Sequence, residues 1–254
     1  TPLEIRVGAK KAFTCLHISD SHLAQMNSRD LWKADEVELK WYEGRRRHFA
    51  TNATGLAAAL LFAKVKGLPL LHTGDFLDYP SDANVRWGRR ELEGFDCIYA
   101  LGNHELAGTP RPGPKGKDLA AARKLLSPYF PNDLSVYSRV VNEVNFVAFD
   151  NVGLSADVFD AQFAAIRKEF AKGLPVVLLY HIPFYTPGLA AEDAKRKGKK
   201  VEDLTSGNLA CCPGRNDIRI NITLQDWLKK QKNLKAMLCG HKHFEFQEPF
   251  AEGV

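Results

Sequence analysis

The chain lacks a hydrophobic run of membrane-spanning length: the apolar stretch Gly55 to Ala63 is far shorter than the roughly 18 to 20 residues that cross a bilayer. No signal-like segment stands at the N-terminus, and the chain begins Thr1-Pro2 without an initiator Met. The expectation is a soluble protein, either cytoplasmic or exported after removal of a leader. Cysteine is scarce, with five in all, Cys15, Cys97, Cys211, Cys212 and Cys239. Three of these lie in apolar stretches that read as buried strands, which speaks against a disulfide scaffold. The adjacent pair Cys211-Cys212 lacks the two-residue spacer of zinc and thioredoxin-type sites and reads as plain loop thiols. A strong charge of one sign is also missing, the formal net charge being +5. Basic residues do gather in Arg45-Arg46-Arg47 and in Lys195-Arg196-Lys197-Gly198-Lys199-Lys200. Such clusters attract nucleic-acid phosphates, but few aromatics interleave with them, so they read as solvated loop segments. No internal repeat, low-complexity tract or domain boundary is visible, which predicts one domain over residues 1–254.

What is present is enough to bury a large core, since 45% of the 254 residues are apolar. Apolar runs alternate with stretches of helical period, the pattern of a layered α/β fold. Strands are expected at Phe13 to Ser19, Pro69 to Thr73, Cys97 to Leu101, Val136 to Val141, Asn145 to Phe149, Pro175 to Tyr180, Ala236 to Cys239 and Phe244 to Phe250. Helices are expected over 48–66, 83–93, 117–127, 157–172 and 223–232. Residues 24–46 and 184–219 show no persistent period and read as long irregular insertions, which in compact domains commonly serve function.

Several expected strands end in residues able to bind metal. Asp20 and His22 follow the first, Asp75 and Asp78 the second, and Asn103 and His104 the third; His181 follows a later strand, and His241 and His243 the one ending at Cys239. In open α/β sheets, ligands bind at the carboxyl ends of strands, so these distant segments would converge there. Each motif alone is weak, because a lone strand-end His is more often structural than a ligand. Their ordered combination is much harder to produce by accident.

Asp20-Ser21-His22, Gly74-Asp75-Phe76-Leu77-Asp78, Gly102-Asn103-His104-Glu105, His181 and Gly240-His241-Lys242-His243 resemble the motifs of calcineurin-like metallophosphoesterases, in order, across residues 12 to 250. The resemblance implies a four-layer α/β fold, with a central β-sandwich flanked by helices and two divalent ions at one edge. It implies that Asp20, His22 and His243 hold one ion, that Asn103, His181 and His241 hold the other, and that Asp75 bridges them. It makes His104 the proton donor to the leaving oxygen and puts Asp78 where a carboxylate orients that imidazole. Asp78 also reads as a turn residue before Tyr79-Pro80, and the sequence leaves both readings open. The remaining histidines, His17, His48 and His72, read as structural.

The chemistry of these residues agrees with that reading. Mixed nitrogen and oxygen ligands suit Mn²⁺, Fe or Zn²⁺ better than Ca²⁺. Two such ions can lower the pKa of a shared water from about 15.7 toward about 7, generating hydroxide for attack on phosphorus. The expected activity is hydrolysis of small phosphomonoesters or phosphodiesters. Two departures narrow the resemblance. Asp78-Tyr79-Pro80 lacks the Asp-Arg-Gly continuation of the Ser/Thr protein phosphatases, and position 78 is not the Tyr of purple acid phosphatases. A nuclease is the alternative, because His17 to Leu23 is similar to repair nucleases of the family. A non-catalytic interaction scaffold is the third reading, which the presence of every ligand type argues against.

Overall fold

Short strands that are apolar on both faces can exist only between two covering layers, and the computed structural model arranges them that way. It describes residues 4–106, 123–124, 126–152, 156–205, 208–212, 219–252 and 254. Strands β1 (Leu16–Ile18), β2 (Leu70–His72) and β3 (Cys97–Tyr99) form a parallel sheet in that order. Strands β4 (Val136–Val141), β5 (Val144–Phe149), β6 (Val176–Leu179) and β7 (Leu234–Leu238) form a second sheet, with β4 antiparallel to β5 and the rest parallel.

The eight α-helices among the described residues are α1 (Ser28–Lys33), α2 (Glu36–His48), α3 (Asn52–Lys66), α4 (Asp82–Leu92), α5 (Asn103–Leu106), α6 (Ala156–Phe170), α7 (Pro187–Arg196) and α8 (Arg219–Leu228). Side chains alternate across each strand and so divide into three cores. Leu71, Ile98 and Ala100 meet Val144, Phe146, Ala148, Val177 and Leu179 between the sheets. Leu70, Cys97 and Tyr99 turn outward to Leu56 and Leu60 of α3 and to Val85 and Leu92 of α4. Val147, Phe149, Val176 and Leu178 turn the other way, to Phe159, Ile166 and Phe170 of α6 and to Leu224 and Leu228 of α8. The order helix, sheet, sheet, helix is the four-layer α/β fold expected from the resemblance.

Seven expected strands are present, β4 with the expected bounds, β5 and β7 starting earlier, β3 ending earlier and the others shorter at both ends, but Phe244 to Phe250 is not a strand. Its Phe-Glu alternation mimics period two, yet the side chains are used against α7: Phe244 lies under Arg196, and Glu248 accepts from Leu189 N at 3.0 Å. The helix expected over 117–127 falls largely outside the described residues, and Ser127–Tyr129 is a 3₁₀ turn.

The two stretches read as irregular are partly helical. Residues 24–46 contain α1 and most of α2, each opened by a capping box, Asn27 with Asp30 and Asp35 with Glu38. Tyr42 is the one buried residue of α2, so the segment carries no apolar stripe to betray a helix. Residues 184–219 contain α7, started by the Thr186 cap and Pro187, and a 3₁₀ turn at Val201–Asp203. Of the basic clusters, Arg45 to Arg47 form the last turn of α2 rather than a loop, whereas only Lys195 and Arg196 end α7 and residues 197–200 follow as an exposed turn and loop.

Candidate metal centre

The parallel strands of both sheets point their carboxyl ends to one edge of the sandwich, and every sequence-predicted site residue lies there. Beyond β1 and β2 the two chains stay paired through Asp20 N to Gly74 O, His22 N to Asp75 O and Leu23 N to Phe76 O. Ladders of this kind normally continue as strand. Here they are broken by left-handed residues, with φ of 53° at Asp20, 42° at His22 and 52° at Asp75. His241 (74°) and His243 (55°) share that conformation. Five of the eight described non-glycine residues with positive φ are therefore candidate ligands. Each such residue costs roughly 1–2 kcal/mol and persists only where its surroundings over-determine it.

Two glycines make the close approach possible. A Cβ on Gly74 would lie 2.7 Å from both Gly102 Cα and His181 Nδ1, and one on Gly102 would overlap the Asp75 amide. Into that contact comes Glu105, wholly buried on α5. Its Oε2 accepts from Asp75 N (3.0 Å) and Gly102 N (2.8 Å), and its Oε1 from Leu77 N (2.8 Å). Burial and the Asp75 charge push Glu105 up to about 7. Asn151, just past β5, clamps the His181 segment by accepting from Ile182 N at 3.0 Å and donating to Ile182 O at 2.6 Å.

The donors fall into clusters. Asp20, His22 and His243 bring ligand atoms within 4.8 Å of one another, and so do Asp75, His181 and His241. His22 Nε2 faces His243 Nε2 at 3.0 Å, while Asp20 Oδ1 lies 3.3 Å from His243 Nε2. In the second group, His181 Nε2 is 3.1 Å from both Asp75 Oδ2 and Asn103 Oδ1. Asp75 Oδ2 also lies 3.7 Å from His22 Nε2, so this carboxylate stands between the clusters.

Hydrogen bonds behind the rings select their tautomers. A carbonyl can only accept, so His181 Nδ1–H donates to Thr73 O (2.8 Å) and leaves Nε2 toward the cluster. His22 Nδ1–H donates to Asp78 Oδ1 (3.0 Å) in the same sense. Such partners are what fixes imidazole ligands in metal sites. The donor set of imidazole, carboxylate and amide oxygen fits two hard-to-borderline divalent cations. Burial opposes the charges of Asp75 and Asp78, and His181 and Arg45 facing them keep both carboxylates ionised and so able to bind cations.

Asp78 has a wider role than either sequence reading gave it. Fully buried, it meets His22, lies 3.3 Å from His104 Nδ1, and takes a two-pronged ion pair from Arg45 Nε and Nη2. Burial opposes its charge, but the bonds from Arg45, His104 and His22 hold it well below the usual carboxylate range. Arg45 is thus no solvated residue: its side chain is 28% exposed, and its guanidinium lies 4.8 Å over Phe49, which stacks on His22 with ring centroids 4.7 Å apart.

His104 sits beside the clusters without belonging to the two that contain Asp20 or Asp75. Its Nδ1–H donates to Asp78 O (2.8 Å), and its own amide donates to Asp75 Oδ1 (2.8 Å). Burial disfavours its charge, yet the Asp78 hydrogen bonds and the Asp75 charge raise it to about 9. His181 also reaches about 9, as Asp75 overcomes burial, so a cation binding there must displace a proton.

Of the other histidines, His72 is buried with its Nδ1 accepting from Gly74 N (3.2 Å) and its Nε2 donating to Ser21 Oγ (3.2 Å). His17 bonds Thr73 Oγ1 at 2.9 Å, and His48 is exposed. Sequence reasoning gave no role to Glu105, Asn151 or Arg45. Glu105 stood inside a quoted motif and Arg45 inside a basic cluster read as solvated, while the Asp35 to Glu38 capping signature ten residues earlier could have placed Arg45 on a helix.

The family model for the calcineurin-like phosphoesterases matches residues 13–245. A search of curated proteins finds no match.

Proposed function

The chain belongs to the calcineurin-like phosphoesterase family, and from that premise we propose that it hydrolyses small phosphomonoesters or phosphodiesters at a centre of two divalent cations. Asp20, His22 and His243 hold one cation, and Asn103, His181 and His241 the other. The observation that carries this reading is Asp75 Oδ2, which lies 3.7 Å from His22 Nε2 and 3.1 Å from His181 Nε2 and so can serve both. When bound, the cations supply an acidified water and neutralise charge on the phosphoryl oxygens.

The remaining work belongs to the protein. His104 presents Nε2 to the leaving oxygen as the proton donor, since Nδ1 is committed to Asp78 O, and its hydrogen bonds to Asp78 favour the protonated ring. Asp78 keeps the His22 and His104 rings in register, and Arg45 keeps Asp78 in place and ionised.

A nucleic-acid substrate is the second reading, favoured by one observation. The Arg45 ion pair with Asp78 brings the basic last turn of α2 to the centre, with Arg46 and Arg47 exposed beside it. Binding of DNA or RNA that falls steeply with salt would support it, and no binding at low salt would remove it.

The leading reading is tested by stripping the protein with chelator and assaying a phosphoester panel with Mn²⁺, Fe²⁺ or Zn²⁺ restored singly. Activity should vanish on stripping and return with at least one ion. Absence of hydrolysis across the panel with every ion would overturn it and restore the scaffold alternative.

A further inference from the structure

The second insertion reaches the centre through a buried charge pair. Lys242 stands between His241 and His243, with its side chain 7% exposed, and its Nζ lies 2.6 Å from Oδ1 of Asp193 on α7, which is 1% exposed. Lys197 Nζ approaches the same carboxylate at 3.3 Å. Around the pair, α7 and the 240–248 segment are joined twice more. Glu248 Oε1 accepts from Leu189 N at 3.0 Å, and the Arg196 guanidinium lies 4.4 Å over the Phe244 ring. Phe244 itself packs on an apolar cluster that includes Leu189, Ala190 and Ala194 of α7.

The turn held in this way is unusual in its demands. His241 and His243 both adopt left-handed backbone, with φ of 74° and 55°, so two strained residues lie within three positions. Its start is fixed by His241 N, which donates to Asp20 Oδ1 (2.9 Å) and Oδ2 (2.8 Å). Its middle is fixed by Lys242. The two imidazoles serve different clusters, His241 with Asp75 and His181, and His243 with Asp20 and His22. A tilt of this one turn would therefore disturb both clusters together.

We propose that Asp193 and Lys242 are positioning residues, and that α7 acts through their ion pair to hold His241 and His243 in the geometry that binds both cations. The inference rests on the two-cation reading above. A buried pair adds little net stability when replaced as a unit, but losing Asp193 strands the buried Lys242 ammonium, and losing Lys242 leaves the buried Asp193 only the partly exposed Lys197. Stability and positioning can therefore be separated.

The experiment is titration of metal-free protein with Mn²⁺ by calorimetry, together with its thermal unfolding, for wild type, Lys242→Met, Asp193→Asn, the double variant and Lys242→Arg. Residues behind metal ligands typically change affinity by about 10- to 100-fold. Both single variants should lose Mn²⁺ affinity by that order at both sites, and Lys242→Arg should retain most of it. The double variant should regain the thermal stability that the single variants lose while its Mn²⁺ affinity stays low. Affinity that returns together with stability, or that never changes in the single variants, would overturn the positioning role and leave a purely structural pair. Wild type that takes up no Mn²⁺ would instead overturn the metal-centre reading, and this inference with it.

Discussion

Glu105 accepts three backbone N–H groups on two oxygens, and two of those amides, of Asp75 and Leu77, belong to the loop that carries Asp75. A glutamine has one carbonyl oxygen for the same three donors. Glu105→Gln should therefore leave at least one buried amide unsatisfied, at about 1–3 kcal/mol, measurable by denaturant unfolding of the metal-free protein. It should also weaken metal binding, because Asp75 is released. Unchanged stability would show that the carboxylate is not the clamp. The neighbouring His104 has a different signature. Removing a proton donor slows a reaction in proportion to how badly its leaving group needs the proton. His104→Ala should cut turnover of alkyl phosphoesters by ~10²- to 10⁴-fold and spare p-nitrophenyl esters. Asp78→Asn should show that selectivity more mildly and, because Asp78 also holds His22, weaken metal binding as well. Its charge can be read separately. In the metal-free chain the His104 pKa is raised from 6.5 to about 9, so its protonated form stabilises the fold fully below pH 6.5, and that contribution is lost as pH rises through 9. The stability advantage of wild type over His104→Ala should shrink across that window in unfolding titrations. At this scale the sequence made the candidate ligands legible because their types and order are chemical signals in themselves. Glu105, Asn151 and Arg45 act through contacts that exist only once the loops meet.

Elements were legible where burial imposed a period. β5, with every residue buried, and β6 stand out as apolar runs, and α4 and α6 carry clear apolar stripes. Helix α2 escaped because its charged surface runs nearly all round, and it is anchored by two aromatics, Trp41 and Tyr42, and one ion pair rather than by an apolar face. That anchor is testable. Arg45→Met strands Asp78 beside two imidazoles, and since the Arg45 side chain is 28% exposed the cost should fall below the roughly 3–5 kcal/mol of a fully buried pair. Arg45→Lys should recover only part, because an ammonium cannot reproduce the two-pronged contact from Nε and Nη2. Unfolding by urea measures both, and equal stability of the three proteins would contradict the anchoring role. The false strand at 244–250 teaches the converse: alternation predicts a strand only when a sheet edge is there to receive it, and here the segment is taken up by α7.

For the whole molecule, two sheets built from separate halves of the chain close on one edge. Asp20 from the β1 side binds the His241 amide from the β7 side, and Asp75 from the β2 side meets His181 from the β6 side. The centre is thus also a seam between the sheets, and cations bound there should stabilise the fold by mass action, about 2.7 kcal/mol per site at a hundredfold excess over Kd. That the strand ends converge follows from sequence and topology together. Where the insertions pack does not, because it is set by the Arg45–Asp78 and Asp193–Lys242 contacts between residues far apart in the chain. The most direct measurement of the central claim is the metal content of active protein, counted by elemental mass spectrometry as Mn²⁺ is added back to stripped wild type and to Asp75→Asn. Wild-type activity should rise to its full value only as the second equivalent binds, and Asp75→Asn should fail to reach two equivalents and stay inactive. Full activity of wild type with one equivalent or none, or near-normal turnover and metal content in Asp75→Asn, would contradict that claim.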